Sequence, residues 1–130
     1  MIVDTSAIIA ILRDEPEARS FLEAMSAAST IRMSAGSWLE LTVVTTRSGD
    51  ARISEGADAL LARFDVVIED VTREIATIAN HGYRKYGRGT RHAADLNFGN
   101  CFAYALAKAT DEPLLFKGDD FARTDIVPAL

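Results

Sequence analysis

The sequence is short of the residues that build several common kinds of site. In 130 residues it has one cysteine, Cys101, and two histidines, His81 and His92. A single cysteine excludes an internal disulfide and a cysteine-rich zinc site, and two histidines in unrelated contexts speak against a zinc enzyme. There are three prolines, and no run approaches the roughly 18 apolar residues of a membrane span. Positive charge is in deficit: 14 Lys and Arg against 19 Asp and Glu leave a net charge of −5. That balance opposes nucleic-acid binding by bulk electrostatics, but it leaves room for an acidic metal site beside a local basic patch. The N-terminus lacks the basic start and small-residue cleavage site of a signal peptide, so a cytoplasmic protein with no membrane contact is expected.

What is present is a globular composition, 48% hydrophobic and 25% charged, long enough for one domain over residues 1–130 with a substantial core. Met1-Ile-Val reads as a buried strand that breaks at Asp4. A helix follows on Ala7, Ile8, Ile9, Ile11 and Leu12, its first turn capped by Thr5 or Ser6, with Asp4 itself as the competing cap. Asp14-Glu-Pro-Glu17 reads as the start of a second helix through Phe21, Leu22 and Met25, and Thr30–Ser34 as a short strand. Ser34 or Ser37 would cap the helix carrying Trp38, Leu39, Leu41, Val43 and Val44. An amphipathic helix is expected over about 53–64, a mostly buried strand over 65–69, and a helix from Thr72 toward Tyr83 and Tyr86. Gly87–Ala94 is a basic loop, Asn97 caps a helix to about Thr110, Leu114–Phe116 is a strand, and Ile126-Val127 a last edge strand. Short strands alternating with helices predict a three-layer α/β/α sandwich on a short parallel sheet.

In such sheets ligands sit outside the carboxyl ends of the strands. Asp4 ends the first strand, Asp120 follows the Leu114–Phe116 strand through a glycine, and Glu40 interrupts the apolar Trp38–Leu41 stretch. Carboxylates gathered at one edge repel each other unless a cation with oxygen ligands, Mg²⁺ or Mn²⁺, sits among them. A site of that kind suits phosphodiester hydrolysis. Taken singly, Glu40 could be a solvated side chain, and Asp119 and Asp120 turn residues.

Met-Ile-Val-Asp-Thr-Ser-Ala at the start, the mid-chain Glu40, Leu96-Asn-Phe-Gly-Asn-Cys-Phe-Ala-Tyr-Ala-Leu-Ala107 and Leu115-Phe-Lys-Gly-Asp-Asp-Phe121 together resemble a VapC-type toxin of the PIN-domain ribonuclease family. The likeness spans nearly the whole chain. It implies a PIN-like fold and a Mg²⁺-dependent endoribonuclease of a type II toxin–antitoxin pair, forming homodimers and held inactive by an antitoxin that covers the site. Carried onto this sequence, the catalytic positions are Asp4, Glu40, Asn100 and Asp120, with metal at Asp4, Asn100 and Asp120. Thr5 and Ser6 would support the metal or its waters, with Asp119 beside them as a further supporting acid. One position departs from the family: Asn100 stands where the pattern has aspartate. Asparagine keeps one carbonyl oxygen for coordination but loses a charge and cannot act as a base, so weaker metal binding and reduced cleavage are expected. Asp95, five residues upstream, is a poorer substitute ligand.

Arg84, Lys85, Arg88, Arg91 and His92 cluster with Tyr83 and Tyr86 and suggest an RNA contact; a solvated helix end would look the same. Cys101 reads as core filler, Trp38 as packing beside Glu40, and His81 as a surface residue. The antitoxin would lie along Ile8, Ile11, Leu12 and Leu39. The competing reading is a PIN-fold module that binds RNA or its antitoxin without cutting, and Asn100 favours it.

Overall fold

A computed structural model describes residues 1–130. Its elements are β1 (Ile2–Val3), α1 (Thr5–Leu12), α2 (Ala18–Ala27), β2 (Arg32–Ser34), α3 (Ala35–Arg47), α4 (Ala51–Arg63), β3 (Val67–Glu69), α5 (Arg73–Tyr86), α6 (Asn100–Thr110) and β4 (Leu114–Leu115), followed by one 3₁₀ turn at Phe121–Arg123. The four strands form one parallel sheet in the order β3-β2-β1-β4.

Two-residue periodicity splits the core in two, one half on each face of the sheet. Ile2 pairs with Leu114, and both pack with Tyr86, Leu96, Ala103, Tyr104 and Phe121. Val3 pairs with Leu115, and both join Ile8, Phe21, Met25, Met33, Leu41 and Leu60 on the other face. The α/β/α sandwich follows from that alternation. No helix is long and apolar enough to cross a membrane.

Several boundaries differ from expectation, each for a local reason. Asp4, not Thr5 or Ser6, caps α1, its carboxylate accepting from the Ser6 backbone N–H. Asp14–Glu17 is a turn rather than a first helical turn, with Asp14 at φ 52° and α2 starting only at Ala18. The strand expected to be mostly buried at 65–69 begins at Val67 and lies at the sheet edge, so Val67 is well exposed. Ile126-Val127 forms no strand; the C-terminal segment meets β4 through a single bridge between Leu114 and Pro128. The β-branched tail Thr42–Thr46 is helical, the Thr42 and Thr45 hydroxyls bonding back to carbonyls one turn earlier.

Candidate metal and nucleic-acid site

The carboxyl edge of the sheet is where the chain's chemistry collects. Asp4 leaves β1 at the centre of that edge and is almost fully buried, at 2% exposure. Its Oδ2 accepts from the Ser6 N–H at 2.9 Å and the Ser6 hydroxyl at 2.6 Å. Its Oδ1 is buried and has no partner at all. A buried carboxylate oxygen without a donor is costly unless something outside the chain meets it.

Glu40 projects from α3 toward the same place. Its Oε2 accepts from the Thr5 hydroxyl at 3.0 Å, an oxygen also 3.0 Å from the Ser37 carbonyl. The approach is close because α3 and α6 nearly touch at their N-termini. A Cβ on Gly36 would lie 2.3 Å from the Phe102 ring, and one on Gly99 would lie 2.0 Å from Glu40 Oε1. Gly99, which makes room for the Glu40 carboxylate, was not singled out from the sequence; the only signal was a glycine directly before the helix.

Burial raises the Asp4 carboxyl above its ordinary range, and the charge of Asp120 raises it further, against the lowering effect of the Ser6 donors. Burial raises Glu40 as well, with Asp4 adding repulsion. Asp4 thus has an acidic neighbour on either element, Glu40 from α3 and Asp120 after β4. No three acidic, histidine or cysteine side chains close into a ready-made cage, however. A magnesium-like ion keeps several waters and needs only one or two carboxylates plus substrate oxygens, so it does not require such a cage. The donors are all hard oxygens, and the orphan Oδ1 of Asp4 is where such an ion would be welcome.

The remaining residues sort less evenly. Thr5 and Ser6 spend their hydroxyl protons on Glu40, or the Ser37 carbonyl, and on Asp4, so they hold the carboxylates rather than waters. Asp119 is turned to solvent, its carboxylate 3.9 Å from Arg123. Asn100 and Asn97 exchange two hydrogen bonds: the Asn97 N–H donates to Asn100 Oδ1 at 2.8 Å, and the Asn100 N–H donates to Asn97 Oδ1 at 2.9 Å. This is the reciprocal geometry of a capping box, closing the entry to α6. The oxygen that Asn100 was expected to offer a metal is therefore already an acceptor inside the chain.

Tertiary pairing also divides the basic segment. Arg88 is paired with Asp95 at 3.0 Å, which accounts for Asp95 as an ion-pair partner. Lys85 lies over the Tyr86 ring, 4.6 Å from its centroid, and Tyr86 is buried, so that ring is not a stacking surface. The His92 Nδ1 accepts from the Ala94 N–H. Arg84 and Arg91 are exposed, Tyr83 is partly so, and Phe98 stands beside the site at 77% exposure. Cys101 is buried, its thiol pushed up by burial and bonded to the Asn97 carbonyl, as a core residue should be. His81 is on the surface. Trp38 is half-exposed and shares a surface cavity with Leu61, Ala62 and Val66. Ile8 is wholly buried and cannot meet a partner, whereas Leu39 is 64% exposed.

A PIN-domain family model matches residues 1–127. The chain belongs to the PIN-domain family. Within that family its relatives are VapC proteins: it is 48% identical over 130 residues to ribonuclease VapC28 of Mycobacterium tuberculosis, covering 100% of this chain and 98% of that one. Among solved structures it resembles M. tuberculosis VapC20, described as a sarcin-ricin loop cleaving toxin, with a TM-score of 0.73, 18% identity and coverage of 97% and 95% of the two chains. A toxin–antitoxin complex from Klebsiella pneumoniae is similar at a TM-score of 0.72 and 18% identity, covering 99% of this chain and 97% of that one.

Proposed function

We propose that this chain is a Mg²⁺- or Mn²⁺-dependent endoribonuclease toxin of a type II toxin–antitoxin pair, weakened at Asn100. The observation that carries the reading is the buried, unpartnered Oδ1 of Asp4 at the carboxyl edge of the sheet, an aspartate that has the acids Glu40 and Asp120 as neighbours. The VapC names of its full-length relatives supply the substrate class, RNA.

Asp4 and Asp120 would hold the ion, with position 100 beside them. Such an ion, when bound, activates water and neutralises charge on the scissile phosphate. The chain's own residues do the rest. Ser6 fixes Asp4, Thr5 fixes Glu40, and Glu40, raised by burial and so a stronger base than an ordinary carboxylate, is the group suited to take a proton from an attacking water. Arg84 and Arg91 offer unpaired charge to the RNA backbone, while Lys85, Arg88 and His92 serve it less directly because each has an internal partner.

Asn100 weakens this arrangement more than the loss of one charge suggests. The Asn97 N–H can only donate, so it fixes the Asn100 oxygen as its acceptor and leaves the amide NH₂, a donor, as the other terminus. Aspartate at 100 would keep the cap with one oxygen and free the second for the ion. A non-cleaving module that binds RNA or antitoxin is the second reading, and the missing carboxylate charge at Asn100 favours it.

The test compares the chain, Asn100→Asp and Asp4→Ala on total cellular RNA with Mg²⁺ and with Mn²⁺. Cleavage by Asn100→Asp alone, or by both it and the parent, supports the nuclease. No cleavage by either moves the binding module ahead. The cognate antitoxin and a second copy of the chain are the partners proposed, read by co-purification and by solution mass.

A further inference from the structure

Beside the acidic edge, α5 and the entry to α6 leave an apolar groove of about 430 Å³ between them. One wall carries Ala76, Ala79 and Tyr83 of α5 at helical spacing, and the other carries Phe98, Cys101 and Phe102. Asn80 and Arg84 supply its polar atoms, and no carboxylate lines it, although the chain has 19 Asp and Glu. The groove adjoins the site through both of its phenylalanines. Phe98 is followed directly by Gly99, whose Cα faces the Glu40 carboxylate, and the Phe102 ring lies against Gly36 at the start of the helix that carries Glu40. The aromatic walls are held from behind. Phe98 meets Phe102 edge to face, with centroids 5.0 Å apart, and the Tyr83 hydroxyl donates to the Arg88 carbonyl at 3.1 Å. Yet Phe98 keeps 77% of its surface in solvent and Tyr83 keeps 39%.

We propose that this groove is a nucleobase subsite, taking the unstacked base of a nucleotide that flanks the scissile phosphate. The inference rests on RNA as the substrate, as proposed above. Proteins read single-stranded RNA by splaying bases onto aromatic rings and guanidinium planes and bonding their edges. Phe98 and Tyr83 are the rings here, Arg84 is the guanidinium, and the Asn80 amide can both donate to a base edge and accept from it. The volume lies in the range of small-ligand clefts, roughly 300–1,000 Å³. A lining free of acids suits a ligand that brings its own phosphates. A base seated beside Phe98 would select which phosphate reaches Asp4, so the groove acts on sequence preference and not on the bond-breaking step.

The experiment is fluorescence anisotropy of labelled oligo(A) and oligo(U) with the full chain in EDTA, across a series of salt concentrations. Thermal unfolding, solution mass and antitoxin co-purification are recorded in parallel. Phe98→Leu keeps apolar bulk but removes the ring. It is expected to weaken binding of at least one oligonucleotide by about 5- to 150-fold, the range for one lost base stack. The log–log salt slope should stay unchanged, because no phosphate contact is removed. Phe98→Tyr restores the ring and should bind within about twofold of the parent. Ala79→Leu, a good helix former that fills the groove from α5, should weaken binding in the same direction.

Phe98→Leu or Ala79→Leu binding as tightly as the parent, or Phe98→Tyr binding as weakly as Phe98→Leu, overturns the proposal. So does a parent that binds neither oligonucleotide. Variants that lower the solution mass or release the antitoxin while RNA affinity holds make the groove a protein interface, which also overturns it. Binding is read without divalent ion, so a chain that binds RNA in this way and never cuts it leaves the subsite standing while the nuclease reading falls.

Discussion

Gly99→Ala isolates the site from the fold. The added methyl would sit 2.0 Å from Glu40 Oε1, where ordinary contact begins at 3.4 Å, so the carboxylate must retreat by about 1.4 Å. Glu40 can do so, because the clash is with the end of a flexible side chain. It would lose the 3.0 Å bond from Thr5, worth about 0.5–1.5 kcal/mol. The backbone at Gly99 is already helical, φ −62° and ψ −43°, so alanine recovers about 0.4–1 kcal/mol by restricting the unfolded chain. The two terms nearly cancel, and stability is expected to change by less than about 1 kcal/mol. A catalytic group misplaced by about 1 Å, in contrast, can cost on the order of 100-fold in rate. Urea unfolding and RNA cleavage, both in the Asn100→Asp background, measure the two sides. A variant that cuts as fast as its parent, or one that is destabilised by more than about 3 kcal/mol, would refute the geometry assigned to Glu40.

Protonation should act on the same residues. Asp4 and Glu40 have carboxyls raised in the fold, so the folded state binds those protons more tightly than the unfolded chain does. Their destabilising contribution is full above the raised folded values and is relieved as pH falls through them toward the unfolded ones. Without divalent ion, Asp4→Asn should therefore be more stable than the parent at pH 7, with the difference shrinking on acidification; equal stability at pH 7 would contradict the buried charge. Added Mn²⁺ should stabilise the parent near neutral pH and progressively less as acid rises, and should not stabilise Asp4→Asn, as thermal unfolding would show. On single-stranded RNA, Arg84→Gln with Arg91→Gln should flatten the log–log salt dependence of binding by about 1.4, roughly 0.7 per lost contact. Arg88→Gln, whose charge is already paired with Asp95, should change it less; an equal or larger effect would relocate the RNA path.

Asp4, Glu40 and Asp120 were legible because each carboxylate interrupts a pattern that physics says should continue apolar or should turn. The two-faced core was legible for a similar reason, since Ile2-Val3 and Leu114-Leu115 read as strands buried on both sides. What escaped was degenerate or distant. Asp4-Thr5-Ser6 offers three capping residues in a row, and nothing local says that one Asp4 oxygen would cap α1 while the other stayed free. The acids around Pro16 looked like a helix start, yet Glu15 is engaged by Lys117, 102 positions away. The basic segment looked like one patch until folding put Asp95 on Arg88 and Tyr86 under Lys85. Asn100 stood out as the departure from the family pattern, but its bond to the Asn97 N–H depends on the turn geometry ahead of α6 and not on composition.

The sheet order has a consequence for the ribosome that makes this chain. β1 is translated first, yet it lies inside the sheet with β2 on one side and β4 on the other. Until β4 emerges, the Asp4 N–H lacks the Leu115 carbonyl, Ser6 lacks the Lys117 N–H, and Asp120 does not exist. Domains generally fold as units, so this single domain completes its acidic edge only once its last strand is available. The acidic edge at which the proposed reaction takes place is thus assembled from both ends of the sequence and exists only when the last strand has joined the sheet.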